Sequence, residues 1–327
     1  LAIICIYIYL ARAERIAMQT LRTPDDVLGA IGSTSLVPLR RLAPASGARV
    51  LLKLESENPT GSMKDRMALA MIEAAETDGR LKPGQPVVEY TGGSTGVSLA
   101  LVCAVKGYPL HIVSSDAFAA EKLDHMRALG AEVTAVKSED GRMTAKLTRD
   151  MIEVARGIRE RTGAYWTDQL NNADQLRAYG PMAEEIWTQT GGRVDAFVQS
   201  VGTAASLRGV SEGLKARDET VRAIAVEPAE SPVLSGGPAG AHRIDGVGVG
   251  FVPPLWRAEA ADAIETVPTA EARAMMQRLA REEGIFAGTS TGANVAAALR
   301  VAERLGADAV VVTLMVDTGM KYLRPHG

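Results

Sequence analysis

The feature that most restricts this chain is a change of period repeated along its length. From Val50 onward, short runs rich in β-branched residues take turns with longer stretches whose apolar residues recur at helical spacing. The short runs read as strands and the longer ones as amphipathic helices. Strands separated by helices pair in parallel through crossovers, which puts helices over both sheet faces. Residues 86–90 read as a strand, 91–96 as a glycine-rich turn and 97–106 as a helix stopped by Gly107. A strand at 110–114, a helix at 119–129 ending at Gly130 and a strand at 131–136 complete a β-α-β-α-β unit. A long helix at 144–161 leads through 164–167 into another helix ending near Gly191. The alternation then resumes with a strand at 195–199, a helix at 206–216 and a strand at 221–226. It closes with helices around 270–283 and 293–305 and a strand at 309–314. Residues 231–254 are rich in Gly and Pro and too long for a simple connection, which predicts a functional loop or a lid. No internal repeat interrupts the pattern, and the expectation is an α/β protein.

Composition removes competing classes. At 327 residues and 46% hydrophobic, the chain can bury a large core in one or two domains. A net charge of −3 with scattered Lys and Arg offers no basic stripe for nucleic acid. Cys5 and Cys103 stand far apart, so neither a disulfide framework nor a zinc site is signalled, and a reducing cytoplasm is the expected setting. Both read as small packed hydrophobes. His111, His125, His242 and His326 lack metal-ligand spacing, and no metal is expected. The apolar run at residues 1–10 has half the ~20 residues that span a bilayer, and no basic segment precedes it, so it reads as neither signal peptide nor membrane anchor. Residues 1–17 are expected to be upstream sequence before a start at Met18, or a docking strand.

In open parallel sheets, ligands collect beyond the carboxyl ends of strands, where loops enter helix N-termini. Three glycine-rich loops are expected there, converging on one sheet edge: Thr91-Gly92-Gly93-Ser94-Thr95-Gly96, Val201-Gly202-Thr203-Ala204-Ala205-Ser206 and Gly288-Thr289-Ser290-Thr291-Gly292. Each offers backbone N–H groups and a helix dipole to a phosphate or carboxylate. The second follows an apolar strand and is the best phosphate cradle, although it is neither a Walker loop nor a dinucleotide fingerprint. In Asn58-Pro59-Thr60-Gly61-Ser62-Met63-Lys64-Asp65-Arg66, Ser62 with Asp65 reads as a capping box, placing Lys64 in the first helical turn. A cation there opposes the helix dipole, whereas an imine with a phosphate-bearing aldehyde is penalised less. Taken alone, Lys64 reads as an ordinary solvated lysine.

Together these residues resemble the fold-type II pyridoxal-phosphate enzymes, specifically the cysteine synthase (O-acetylserine sulfhydrylase) and cystathionine β-synthase family. The resemblance runs from Ile31-Gly32-Ser33-Thr34 to Asp317-Thr318-Gly319-Met320-Lys321-Tyr322-Leu323. Its most specific segments are 53–66, 227–237 and Arg281-Glu282-Glu283-Gly284-Ile285. It implies two three-layer α/β/α domains with mostly parallel sheets, like the tryptophan synthase β subunit. Residues 58–168 would form the smaller mobile domain, and 1–57 with 169–327 the larger. It also implies that Lys64 forms the Schiff base with pyridoxal 5'-phosphate and removes the substrate α-proton. Gly202, Thr203, Ala204, Ala205 and Ser206 would hold the phosphate, and Ser290 the pyridine nitrogen. Thr91, Gly92, Gly93, Thr95 and Gln169 would hold the substrate carboxylate. A neutral hydroxyl at Ser290 leaves the ring a weaker electron sink than a carboxylate partner would, which favours loss of a β-leaving group over transamination. The implied reaction replaces the side-chain ester of an activated serine, such as O-acetylserine, by a sulfur nucleophile through an aminoacrylate, in a homodimer whose only other partners are small molecules. A serine/threonine dehydratase and a non-catalytic amino-acid-binding member are the rival readings.

The chain departs from the family pattern at the carboxylate loop, usually Thr-Ser-Gly-Asn-Thr-Gly. Gly92 takes the place of the serine, and Ser94 that of the asparagine bonded to the cofactor's phenolic oxygen. Ala204 and Ala205 replace two glycines of the phosphate loop, which is compatible with phosphate binding if both sit at negative φ. These changes mark a divergent branch in which the donor ester and the acceptor can differ from the common pair.

Overall fold

The computed structural model describes residues 24–44, 47–139 and 144–323. The expectations for residues 1–17, Cys5 and His326 lie outside them. Among the described residues, ten strands form two sheets. The larger contains β1 (Leu36–Pro38), β2 (Arg49–Leu54), β7 (Ala196–Ser200), β8 (Arg222–Pro228), β9 (Ala263–Val267) and β10 (Val310–Met315), in the order β1-β2-β10-β7-β8-β9. Only β1 is antiparallel. The smaller contains β3 (Val87–Tyr90), β4 (Leu110–Ser115), β5 (Glu132–Val136) and β6 (Tyr165–Trp166), all parallel, in the order β5-β4-β3-β6.

Successive side chains of a strand point to opposite faces, and both faces of the larger sheet are buried. Val50, Leu52, Ala196, Val198, Ile224 and Val311 pack into one cluster with helix α8 (Thr289–Leu305). Leu51, Phe197, Ala225, Val310, Val312 and Leu314 face the other side, toward α5 (Tyr179–Gln189) and α6 (Ala205–Lys215). The same cluster continues under the smaller sheet through α1 (Lys64–Thr77), whose Met67, Met71 and Ile72 are fully buried, and α2 (Ser94–Lys106). The second face of the smaller sheet is covered by α4 (Ala145–Thr162), with Leu147, Met151, Ala155 and Ile158 against Val88, Tyr90 and Val113. The remaining helices are α3 (Ala120–Ala128) and α7 (Thr269–Arg278).

The predicted alternation is realised as an α/β fold with mostly parallel sheets; the antiparallel β1 lies ahead of the predicted elements, and three further details differ. Strand β9 was not foreseen, since Ala263–Val267 carries Glu265 and Thr266 and lacks a continuous apolar run. The helix expected to end near Gly191 starts only at Tyr179, after a 3-10 stretch at Ala173–Ala178 whose amide Asp174 N donates to Asn172 Oδ1. The helix expected over 270–283 closes its regular turns at Arg278 and passes through one wide turn to Gly284, which takes φ 72°. Residues 231–254 have no helix or strand, as expected of a long loop.

Candidate active site

The three glycine loops meet, but not on one edge of one sheet. Residues 91–96 follow β3 of the smaller sheet, 201–206 follow β7 of the larger, and 288–292 follow the wide turn after α7 and no strand. A third element gathers them, the segment after β10. Gly288 N donates to Asp317 O at 3.4 Å, Thr318 N to Gly61 O at 2.9 Å and Gly319 N to Phe286 O at 2.9 Å. Val316 N donates to Thr291 Oγ1, and Met63 N to Val316 O. Asn294 locks the start of α8 to both central strands, accepting from Ser200 N at 2.7 Å and donating to Leu314 O at 3.0 Å. Residues more than 250 positions apart, such as Gly61 and Thr318, thus share the carboxyl end of β7 and β10.

Lys64 is the first residue of α1, as expected, but the capping box is not formed. Met63 occupies the N-cap position without a side-chain bond. Asp65 instead accepts from Thr60 N at 2.7 Å, Thr60 Oγ1 at 2.5 Å and Ser98 Oγ at 2.6 Å, tying the turn before α1 to the first turn of α2. A buried carboxylate must be satisfied by such donors, while the Ser62 hydroxyl accepts from Lys64 N at 3.3 Å. Lys64 is half-buried rather than a solvated surface lysine. Burial pushes its ammonium down to about 8, against the opposing pull of Asp317.

Arg66, two residues on, anchors this turn. Its guanidinium donates to both oxygens of Glu55 and both of Glu185, each at 2.8 Å. Lys53 Nζ reaches Glu185 Oε2 at 2.6 Å and the Thr34 carbonyl at 2.6 Å. Burial drives the Glu185 carboxyl up, but the bonds from Arg66 and Lys53 outweigh it and hold the group at about 2. Burial leaves the Lys53 ammonium below its ordinary value despite its carboxylate neighbours, so Arg66 is the dependable cation of the group.

At the phosphate loop, no N–H from Gly202 through Ser206 has an acceptor among the described residues, at the entrance to an eleven-residue helix. Gln199 Nε2 donates to Ser206 Oγ at 2.6 Å, and Thr203 Oγ1 to Gln175 Oε1 at 2.8 Å. Gln199 Oε1 and the Ser200 hydroxyl are buried without a partner. A Cβ on Gly202 would lie 2.5 Å from the Gly246 carbonyl, so the loop rests directly on the 231–254 connection. Of the two alanines, Ala205 alone takes the negative φ that was the condition for compatibility with phosphate binding. Ala204 sits at φ 73°, ψ −13°, a left-handed conformation costing an L-residue about 1–2 kcal/mol. The turn from strand to helix demands that conformation, whatever side chain occupies it. Unpaired amides at a helix N-terminus fit a phosphate group.

At the carboxylate loop, the N–H groups of Gly92, Ser94 and Thr95 have no acceptor among the described residues, while Gly93 N donates to Thr91 Oγ1. A Cβ on Gly92 would lie 1.9 Å from the Phe118 ring, so Phe118 fills the space where the family pattern puts a serine side chain. Gln169 joins the loop by donating from Nε2 to the Tyr90 carbonyl at 3.3 Å. Its N–H donates to Glu89, a fully buried carboxyl that also accepts from Thr167 Oγ1 at 2.6 Å. Burial raises Glu89 to about 7 against those hydrogen bonds. Ser290 is buried in the first turn of α8, and its hydroxyl makes no bond to the described residues.

Sequence reasoning missed Glu89, Phe118 and the charged group around Asp317. Asp317 accepts from Tyr322 Oη at 2.7 Å and lies 3.4 Å from Ser94 Oγ, which receives Lys321 Nζ at 3.2 Å. One signal was available: charged residues directly behind a buried strand sit at its carboxyl end, where ligands collect. Among the described residues, no His/Cys/Asp/Glu group has metal-binding geometry, and no helix is long and apolar enough to cross a membrane. Cys103 is buried in the core.

Comparison with known proteins bears directly on this arrangement. The family model described as pyridoxal-phosphate dependent enzyme matches residues 27–317. A cysteine synthase of Staphylococcus aureus is 39% identical over 304 residues, 91% of this chain and 95% of that protein. O-acetyl serine sulfhydrylase isoform 3 from Entamoeba histolytica superimposes with a TM-score of 0.87 at 36% identity, over 93% of this chain and 91% of that one. A hydrogen sulfide-producing enzyme from Fusobacterium nucleatum gives 0.86 at 35% identity, over 93% of this chain and all of that one. With the match spanning both sheets, all three loops and Lys64, the chain belongs to the pyridoxal-phosphate dependent enzymes.

Proposed function

We propose that Lys64 carries pyridoxal phosphate and that the chain replaces the side-chain ester of an O-acetylserine-like substrate by a sulfur nucleophile, forming cysteine or a close analogue. The observation that carries this reading is the Lys64 amine, half-buried, held near 8 and faced by Asp317, at the junction of three helix entrances. When bound, the cofactor supplies an electron sink for the pair left on the substrate Cα.

The chain's own residues divide the remaining tasks. The amides of Gly202 to Ser206, with Thr203 and Ser206, hold the phosphate. The Ser290 hydroxyl meets the pyridine nitrogen as a neutral partner. The free amides of the 91–96 loop, with Thr91, Thr95 and Gln169, hold the substrate carboxylate, and Glu89 fixes Gln169 at that loop. Lys64 Nζ, once released, accepts the α-proton; an amine held near 8 keeps a sizeable neutral fraction near physiological pH, which suits it to that transfer. Phe118, standing on Gly92, gives the carboxylate pocket an aromatic wall. Residues 58–168 act as the smaller domain, closing on the remainder, and the working form is a cytoplasmic homodimer.

The test supplies purified protein with O-acetylserine and sulfide and separates cysteine from pyruvate by mass spectrometry. Cysteine as the main product, with loss of both activity and the visible Schiff-base absorption in Lys64→Ala, is the expected result. Dominant pyruvate would replace β-replacement by a dehydratase-type elimination, and a wild-type protein without the absorption band would sink the assignment of Lys64.

A further inference from the structure

The charged group behind Ser94 belongs to none of the roles above. Lys321, in the turn after β10, is buried at 7% exposure and directs its ammonium to Ser94 Oγ at 3.2 Å. Facing it are Asp65 from α1, Lys122 and His125 from α3, and Asp317 and Tyr322 from its own segment. Lys122 is itself committed, its Nζ lying 4.4 Å above the Tyr322 ring.

The hydroxyl hydrogen of Ser94 has a single protein acceptor, and a distant one. Lys321 is a donor only, and its ammonium takes one of the Ser94 lone pairs. Asp317 Oδ2 lies 3.4 Å away, beyond the usual ~2.5–3.0 Å of an O–H···O bond, and already receives Tyr322 Oη at 2.7 Å. Ser94 is the first residue of α2, and Asp317 bridges it to Ser62 and Gly288, the two turns that flank Lys64 and Ser290. Held by so long a bond, the hydrogen is available to a better-placed acceptor at the head of α1.

We propose that Lys321 is a positioning residue for Ser94: its ammonium, donating into Ser94 Oγ, orients and polarises the hydroxyl so that it donates to a ring oxygen of the cofactor held at Lys64. The inference rests on the reading of Lys64 as the cofactor lysine. It explains how a side chain as short as serine suffices at this position. A hydroxyl whose lone pair is engaged by a cation is a stronger donor, and charge-assisted bonds are roughly twice as strong as neutral ones.

The experiment is a pH titration of the visible Schiff-base band of the holoenzyme, which reads the electronics of the bound ring without turnover. Lys321→Met is expected to move the midpoint by about one pH unit, the size of one charge-assisted contact, while Lys321→Arg keeps the wild-type midpoint. In a Ser94→Asn background, where a longer amide brings its own N–H, Lys321→Met is expected to leave the midpoint in place. An unchanged midpoint in Lys321→Met, a shift of equal size in the Ser94→Asn background, or a shift in Lys321→Arg as large as in Lys321→Met would each overturn the proposal. Absence of the band from the wild-type protein is a different outcome, and removes the cofactor reading together with this one.

Discussion

Replacing Glu185 by glutamine keeps the shape of the side chain and removes the charge that Arg66 and Lys53 share. Glu185 is 19% exposed and Lys53 fully buried, so water does little to screen the loss. Holding the carboxyl at about 2 instead of 4.5 stabilises the fold by about 3 kcal/mol at neutral pH, since each pH unit between folded and unfolded values corresponds to about 1.4 kcal/mol. The sign follows from the depression. The stabilisation is complete above the unfolded value of 4.5 and is lost as pH falls through the folded value near 2. At pH 3 less than half of it remains. Urea unfolding of wild type and Glu185→Gln at pH 7 should separate the midpoints by about 1 M, given slopes of about 1–3 kcal/mol per molar for small proteins and more for larger ones. The separation should shrink to under half at pH 3. A difference that is the same at both pH values, or a glutamine variant as stable as wild type at pH 7, would refute the argument that this carboxylate is held down by Arg66. Because the same guanidinium positions the turn that carries Lys64, cofactor affinity should fall in parallel with stability at pH 7.

The interlock of Gly92 and Phe118 predicts that Gly92→Ala destabilises by about 1–3 kcal/mol through overpacking and weakens carboxylate binding. Adding Phe118→Ala should recover most of the loss, and two additive effects in a double-mutant cycle would show that the ring and the glycine do not meet. Gly202→Ala drives its methyl against the Gly246 carbonyl, where no flexible end can yield. Equilibrium dialysis should therefore show weaker cofactor retention with the secondary structure unchanged. The Lys64 amine, held near 8, should make reconstitution of the apoprotein with pyridoxal phosphate faster as pH rises from 6.5 and level above 8, because only the neutral amine attacks the aldehyde. A pH-independent rate would remove Lys64 amine protonation as the control.

The strands and helices were legible because burial imprints a local period on the chain, two for a strand and 3.6 for a helix. Thus β3, α2 and β4 fall within three residues of their predicted ends. Strand β9 was not legible, since an edge strand with one neighbour needs no continuous apolar run. Lys64 and the glycine loops were visible as motifs because each chemical task is carried by consecutive residues.

By itself, then, the sequence determined the alternation, the parallel pairing, the lysine at the head of α1 and the three loops that enter helices. Only the tertiary structure decided that those loops come from two sheets, that Asp65 bonds Thr60 and Ser98 and forms no cap, that Ala204 must be left-handed, and that Lys321 stands behind Ser94. The reason is separation along the chain. Ser94 and Lys321 lie 227 positions apart, and Arg66 and Glu185 lie 119 apart. No local period records such pairs; they come together only when the last strand inserts between β2 and β7 and delivers its following turn to the head of α1.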